Sequence, residues 1–150
     1  MILFSTLSSV AKGTLVQLKE DREIKSILTD SRKAAQPDSC FVAISGARHD
    51  GHEYIKALYD SGVRMFIVEK ELNWKSFPDG NFFLSSSSLQ TLQDLAAHHR
   101  SQFNYPVVGI TGSNGKTIVK EWIYQLLAPL YSIVKIPAVI IRSLAFHFLF

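Results

Sequence analysis

Residues 40–68 read CFVAISGARHDGHEYIKALYDSGVRMFIV, and this stretch decides the fold class. It begins with the apolar run Cys40–Ile44 and ends with a second apolar run, Met65–Val68, and both are typical of buried strands. Between them lie a polar loop punctuated by glycine and then apolar residues at helical spacing, which stop at Gly62. Strand, helix and strand in this order form a βαβ unit, so the two strands should pair in parallel.

The segments around this unit extend the α/β pattern. Apolar residues at helical spacing near Leu7 predict a short helix, and the alternation in Thr14–Leu18 predicts a strand. Asn81–Leu84 is a candidate third strand. Ser87 or Ser88 can cap the helix that follows, and we expect this helix to end near Phe103.

A linker is predicted at Asn104-Tyr105-Pro106, because the residue before a proline avoids helical geometry. We therefore expect a first domain over residues 1–104 and the start of a second over residues 105–135. The second part should contain a strand, a helix and another strand, at Val107–Thr111, Thr117–Leu127 and Tyr131–Val134.

Composition excludes several classes of protein. The 150 residues are 47% hydrophobic and 19% charged, which is typical of a globular chain and not of a disordered one. The net charge of +3 is too small to indicate a nucleic-acid partner. The single cysteine, Cys40, allows no internal disulfide. No signal peptide is evident, and no apolar run approaches the roughly 20 residues of a membrane span. We expect a soluble cytoplasmic protein.

The motif that carries chemistry is Gly109-Ile-Thr-Gly112-Ser-Asn-Gly115-Lys116-Thr117, between a predicted strand and a predicted helix. Glycines let backbone N–H groups approach phosphate closely, and a helix N-terminus favours an anion. Lys116 would reach the β- and γ-phosphates, and the Thr117 hydroxyl would ligate Mg²⁺. The general pattern has a glycine where this chain has Ile110. The predicted ATP contacts, with Lys116 as the catalytic residue, are Gly112, Ser113, Asn114, Gly115, Lys116, Thr117 and Ile118.

This loop resembles the ATP loop of the Mur ligases, which are ATP-dependent amide-forming enzymes of peptidoglycan precursor synthesis. Upstream, Thr29–Lys33, Pro37–Ile44, Gly46 and Asp50-Gly51-His52 are similar to the UDP-sugar-binding N-terminal domain of that family. The resemblance covers residues 1 to about 135. It implies an α/β fold, in which a small UDP-binding domain precedes the first strand–P-loop–helix unit of a parallel-sheet ATP-binding domain.

The resemblance also implies a substrate site in the first domain. Thr29 and Ser31 correspond to positions that contact the uridine, and Ala47, Arg48 and His49 to the loop that closes on the UDP moiety. The guanidinium of Arg48 suits a diphosphate.

Four further residues are expected to have structural roles. Asp30 and Arg32 should fix a turn, and His52 should stabilise the start of a helix. Cys40 should lie in the core, because it belongs to an apolar run.

Within the family, the pattern is most similar to the ligases that join D-alanyl-D-alanine to a UDP-N-acetylmuramoyl tripeptide, in the form fused to an alanine racemase. ATP would phosphorylate the terminal carboxylate of the tripeptide, and the amine of D-alanyl-D-alanine would attack the acyl phosphate. Four alternatives remain open. These are a ligase that adds the third stem-peptide amino acid, a folylpolyglutamate synthetase, a non-catalytic UDP-sugar-binding remnant, and a membrane-surface protein anchored by Ile136–Phe150.

The resemblance ends at Lys135, and Ile136–Phe150 is an apolar tail. One permitted codon string for this tail, with a single A inserted in its first A-tract, encodes Lys-Asn-Pro-Gly-Ser-Tyr-Asn-Ser-Gln-Phe-Ser-Val-Pro-Leu-Ser-Val. That is the kind of segment the family has at this place. We hypothesise that a one-base deletion ended the family reading frame here. Because such a ligase positions all its groups together, we expect the 150-residue chain to be inactive alone.

Resequencing the gene across the codons for Lys135 and Ile136 tests this hypothesis. We expect the neighbouring frame downstream to encode the rest of a ligase. An intact frame with no such homology beside it would contradict the hypothesis.

Overall fold

The computed structural model describes residues 2–32, 36–46 and 49–135. Its internal contacts divide the chain into two compact units, and the division falls between Ser101 and Gln102. The division lies close to the boundary that the sequence predicts after Asn104, and the assignment of the two domains stays a prediction.

The first unit is built on a five-stranded sheet in the order β1-β5-β4-β3-β2. The strands β2, β3, β4 and β5 run parallel to one another, and β1 is antiparallel to β5 at one edge. The mixed α/β fold class is confirmed. The bounds of β1 to β5 are Thr14–Gln17, Ser26–Leu28, Ser39–Val42, Met65–Val68 and Asn81–Leu84.

The predicted βαβ unit is present. β3 and β4 pair in parallel, with Cys40 in register with Met65. The helix between them, α2, spans Ile55–Asp60. The other helices of this unit are α1 and α3, at Leu7–Val10 and Ser88–Ser101, and short 3₁₀ turns lie at Phe4–Thr6, Gly51–Tyr54 and Trp74–Ser76.

Both faces of the sheet are covered. On one face, Phe41, Phe66 and Phe82 from three neighbouring strands form a buried cluster with Ile55 and Leu58 of α2. Because side chains alternate along a strand, the neighbours of Phe41 in β3 and of Phe66 in β4 point to the opposite face. There α3 packs against β3 and β4, and α1 packs against α3. The sheet therefore forms the middle of three layers.

Aromatic rings fill the centre of the first face. The Phe66 ring stacks on Phe82 at 5.0 Å between centroids and meets the Phe41 ring edge-on at 6.5 Å. Trp74 and Phe77, from the segment before β5, contact the Phe82 ring at 5.1 and 5.5 Å. This segment, which looks charged and turn-rich in the sequence, thus supplies part of the core.

The second unit contains α4, which spans Lys116–Leu127. The predicted helix is confirmed, but the strands predicted at Val107–Thr111 and Tyr131–Val134 are wrong, because both segments are irregular. A strand needs a neighbour to complete its hydrogen bonds, and within the described ranges neither segment is paired in a sheet. On α4, the side chains of Trp122 and Leu126 are 62% and 74% exposed.

The tail Ile136–Phe150 lies outside the described residues. The reading-frame and membrane-anchor hypotheses concern this tail and therefore stay predictions. Ala47 and Arg48 also lie outside the described residues. In the described ranges, no helix has both the length and the apolar character needed to cross a bilayer.

Replacing Phe66 with alanine tests the aromatic core. The ring is fully buried between two others, so its removal should lower the free energy of unfolding by about 3–5 kcal/mol. The matched control is Leu126→Ala on the exposed face of α4, with an expected change within about 0.5 kcal/mol. Urea unfolding of both variants is the measurement. Equal effects of the two substitutions would contradict this core.

Candidate functional sites

The predicted phosphate loop curves at two glycines. Gly112 and Gly115 have φ angles of 146° and 77°, in the region that side-chain-bearing residues rarely adopt. Gly115 directly precedes α4 and leads the chain into the helix. The loop is therefore bent at the start of a helix, as phosphate binding requires.

The N-terminus of α4 is open to an anion. The first N–H groups of a helix have no partner within the helix, and no side chain caps α4. A Cβ atom placed on Gly109 or Gly115 would meet nothing within 4 Å, so the space above these glycines is open. A phosphate group fits this combination of free donors, helix dipole and open space.

Lys116 completes this positive end. Its Nζ donates to the Gly112 carbonyl oxygen and lies 3.4 Å from the Ser113 oxygen, so the ammonium sits over the loop. The adjoining groove of about 330 Å³ is lined by six of the seven predicted ATP contacts, Ser113, Asn114, Gly115, Lys116, Thr117 and Ile118. The structure thus brings them together, and their roles stay predictions.

A magnesium ion would find few protein ligands here. The Thr117 hydroxyl is on an exposed residue at the first turn of α4. The described part of the chain contains no group of three His, Cys, Asp or Glu residues arranged to hold a metal. Mg²⁺ usually keeps several waters and binds through substrate phosphates, so one hydroxyl beside a phosphate site fits that chemistry.

The described residues of the predicted UDP site lie at one edge of the sheet. Thr29 and Ser31 follow β2, and His49 lies in the loop that follows β3. Because β2 and β3 are parallel neighbours, their carboxyl ends meet at the same edge. Ligands of open α/β sheets bind at such an edge. The roles of these three residues stay predictions.

The turn that follows β2 is stabilised by its own side chains. The Arg32 guanidinium donates to both carboxylate oxygens of Asp30, at 2.9 and 2.8 Å, and the Arg32 backbone N–H donates to Asp30 at 3.0 Å. Asp30 and Arg32 therefore stabilise the turn, as the sequence predicts.

Sequence reasoning missed a charged cluster after β3 and β4. Asp50 Oδ1 accepts a hydrogen bond from the backbone N–H of His52 at 3.0 Å and pairs with the ring Nδ1 at 2.6 Å. Asp50 Oδ2 accepts from Lys70 Nζ. Lys70 above all, and then the His52 donors, hold the pKa of Asp50 well below its usual range. The signal that could have found the cluster is the position of Lys70, two residues after the end of a buried parallel strand.

Two side chains have the structural roles that we expected. The His52 ring is buried in the short helical turn Gly51–Tyr54. Cys40 is buried in β3, and burial raises the pKa of its thiol, so this thiol is a core group.

A second groove, of about 440 Å³, opens at the carboxyl ends of β4 and β5 and was not foreseen. Its polar centre is Ser85, whose hydroxyl donates to the Lys12 carbonyl oxygen at 3.1 Å and accepts from Thr91 Oγ1 at 2.7 Å. Sequence reasoning could not find it, because its lining residues come from three separate chain segments. They are Lys12, Gly13, Thr14, Glu69, Glu71, Leu84, Ser85 and Ser86.

Comparison with known proteins assigns the family. Residues 23–109 match the family model described as Mur ligase family, catalytic domain. The match covers more than half of the chain. The chain therefore belongs to the Mur ligase family.

Individual relatives are similar over most of this chain. It is 30% identical over 131 residues to the UDP-N-acetylmuramoyl-tripeptide--D-alanyl-D-alanine ligase of Bacillus subtilis, covering 86% of this chain and 28% of that protein. It is 36% identical over 104 residues to the UDP-N-acetylmuramoyl-L-alanyl-D-glutamate--2,6-diaminopimelate ligase of Clostridium botulinum, covering 67% and 21%. The chain thus spans about a quarter of the length of the curated relatives that it matches.

Solved structures agree with the fold. The MurF ligase of Thermotoga maritima, crystallised in complex with ADP, superimposes with a TM-score of 0.71 at 31% identity. The similarity covers 83% of this chain and 28% of the Thermotoga chain. A MurF structure from Acinetobacter baumannii gives the same TM-score at 28% identity, with 84% and 27% covered.

Replacing Asp50 with asparagine tests the charged cluster. A carboxylate with a lowered pKa stabilises the fold fully above the unfolded-state pKa, and this stabilisation disappears as the pH falls. The natural chain should therefore have the higher Tm at pH 7, and its advantage should shrink as the pH falls through about 4. Thermal melts from pH 7 to about 2 measure it.

The control for this experiment is Asp60→Asn, which removes an exposed ion pair with Lys56 on α2. Its Tm should stay near that of the natural chain throughout. A constant Tm difference for Asp50→Asn across the whole pH range would contradict the role of this carboxylate.

Proposed function

We propose that the chain carries the uridine-side and nucleotide-loop elements of an ATP-dependent ligase of peptidoglycan precursor synthesis. The reaction would join D-alanyl-D-alanine to a UDP-N-acetylmuramoyl tripeptide. The observation that carries this proposal is the bent loop between Gly112 and Gly115, with the Lys116 ammonium at the start of α4. Membership of the Mur ligase family and the similarity to the Bacillus and Thermotoga ligases support it.

The loop would bind the phosphates of ATP. Free N–H groups at the first turn of α4 would donate to phosphate oxygens, and the ammonium of Lys116 would move from the loop carbonyl oxygens to the β- and γ-phosphates. The hydroxyl of Thr117 would ligate Mg²⁺. When bound, this ion supplies positive charge that neutralises the phosphate oxygens.

The sheet edge would bind the other substrate. Thr29, Ser31 and His49 would contact the uridine diphosphate part of the UDP-linked tripeptide. ATP would phosphorylate the terminal carboxylate of this peptide, and the amine of D-alanyl-D-alanine would attack the acyl phosphate to give an amide and phosphate. Electrostatic stabilisation by the loop would lower the barrier of the phosphoryl step.

The 150-residue chain would not catalyse this reaction alone. Transfer of a phosphoryl group needs all of its positioning groups at once, and the chain matches about a quarter of its curated relatives. We expect the chain to bind ATP and the UDP-linked tripeptide without forming product.

One alternative has a specific observation in its favour. The Clostridium relative, a diaminopimelate ligase, shares 36% identity, more than the Bacillus ligase does. A ligase that adds the third stem-peptide amino acid would bind the UDP-linked dipeptide as its substrate. Calorimetry with the UDP-linked dipeptide and tripeptide compares the two functions, and our proposal requires the tripeptide to bind at least as tightly.

Replacing Lys116 with alanine tests the nucleotide loop. Loss of a charged hydrogen-bond donor to phosphate costs about 1.5–3 kcal/mol, so the Kd for ADP should rise by about 10- to 100-fold. Calorimetry with ADP and Mg²⁺ is the measurement.

The control is Lys75→Ala, which removes the same charge from an exposed residue of the first unit. Its Kd for ADP should be unchanged. An equal loss of affinity in both variants would show that net charge, and not the loop, determines binding. Unchanged affinity in Lys116→Ala would contradict the proposed site.

A further inference from the structure

The imidazole of His52 is a buried bridge at the candidate uridine edge. Its side chain is 6% exposed and lies between Asp50, at the end of the loop after β3, and the first residue after β4. The backbone N–H of Glu69 donates to His52 Nε2 at 2.9 Å, and His52 Nδ1 lies 2.6 Å from Asp50 Oδ1. Both ring nitrogens are therefore used.

The geometry fixes the tautomer of this ring. Nε2 accepts a hydrogen bond from a backbone N–H, which can only donate, so Nε2 carries no proton. The ring proton therefore sits on Nδ1 and is donated to Asp50. A neutral ring with its proton on Nδ1 links the loop to the sheet.

Backbone contacts tie His49 and Asp50 to the residues that follow β3. The Gly46 N–H donates to the His49 carbonyl oxygen at 2.9 Å, and the Gly51 N–H donates to the Ile44 carbonyl oxygen at 3.0 Å. Ser45 and Asp50 also form an antiparallel bridge. Because His49 and Asp50 are neighbours in the chain and both pair with residues after β3, holding Asp50 also holds His49.

The bridge continues beyond the loop. Glu69, which donates to His52 through its backbone, accepts a hydrogen bond from the Ser88 N–H at 2.7 Å through its carboxylate. Ser88 is the first residue of α3. Asp50 after β3, the end of β4 and the start of α3 are thus linked in series through the His52 ring and Glu69.

We propose that His52 is a positioning residue for the uridine diphosphate ligand: it holds His49, through Asp50, at the sheet edge that Thr29 and Ser31 also occupy. This inference rests on the proposed function, because it assigns the ligand to that edge. It adds a residue that touches no substrate and acts through Asp50.

The expected effect follows from preorganisation. If His49 is in its binding position for only a fraction of the time, the apparent Kd for the ligand rises by the inverse of that fraction. Loss of the bridge leaves the Asp50 carboxylate held by the His52 backbone N–H and by Lys70, whose side chain is 57% exposed. We expect His49 to be in place about a tenth of the time, and hence about a tenfold rise in Kd.

Calorimetry with UDP on the full chain compares His52→Leu and His52→Gln. Leucine removes both hydrogen bonds, so the Kd for UDP should rise about tenfold. Glutamine keeps one acceptor and one donor and should restore the affinity to within about threefold. The Kd for ADP should not change in either variant, because the nucleotide loop belongs to the other unit. The matched control, His99→Leu on exposed α3 surface, should bind UDP normally.

The outcomes separate this inference from the proposed function. If the natural chain does not bind UDP, the proposed function fails and the inference fails with it. If the natural chain and His52→Leu bind UDP equally, the inference alone is overturned. If leucine and glutamine weaken UDP and ADP binding alike, His52 serves general stability, and the inference is also overturned.

A measurement on the natural chain covers the case in which His52→Leu does not fold. In ¹⁵N NMR spectra, the ring of His52 should show a protonated Nδ1 and an unprotonated Nε2, and UDP should leave this pattern unchanged. A proton on Nε2 would mean that the bridge to Glu69 is absent in solution and would overturn the proposal.

Discussion

The parallel pairing of β2, β3, β4 and β5 is the constraint on which the candidate uridine edge depends. Parallel strands end at the same edge, so segments far apart in the chain are brought together there. The predicted uridine contacts after β2, His49 after β3 and the Lys70 cation after β4 all lie at the same edge for this reason. The stacked rings of Phe66 and Phe82, which are partners in the pairing of β4 with β5, stabilise the register of these two strands.

The two candidate sites would recognise phosphate in different ways. In our proposal the nucleotide loop uses backbone N–H groups at the start of α4, which follow the left-handed conformation of Gly115. The sheet edge would use side chains on short loops, and we propose that these need support from the buried ring of His52 and its partner Glu69. Because the sites belong to separate compact units, each can be tested by its own nucleotide.

Sequence alone predicted the buried strands and the glycine-rich loop that leads into α4, because both have strong local patterns. The apolar runs at Cys40–Ile44 and Met65–Val68 are too short for core helices and are bounded by turn residues, which favours buried strands. The same reasoning failed at Val107–Thr111, because an apolar run says nothing about whether a pairing strand is available. The bridge from His52 to Glu69 was also beyond prediction, since its partners are 17 residues apart and meet only through the sheet.

Backbone NMR with two nucleotides tests the central claim most directly, namely that the chain has two separate sites for two different nucleotides. The account predicts that ADP shifts the amide signals of residues 112–118, and that UDP shifts those of Thr29, Ser31 and His49. Each nucleotide should leave the amide signals of the other set of residues unshifted. Shifts of one common set by both nucleotides, or of residues outside both sets, would contradict it.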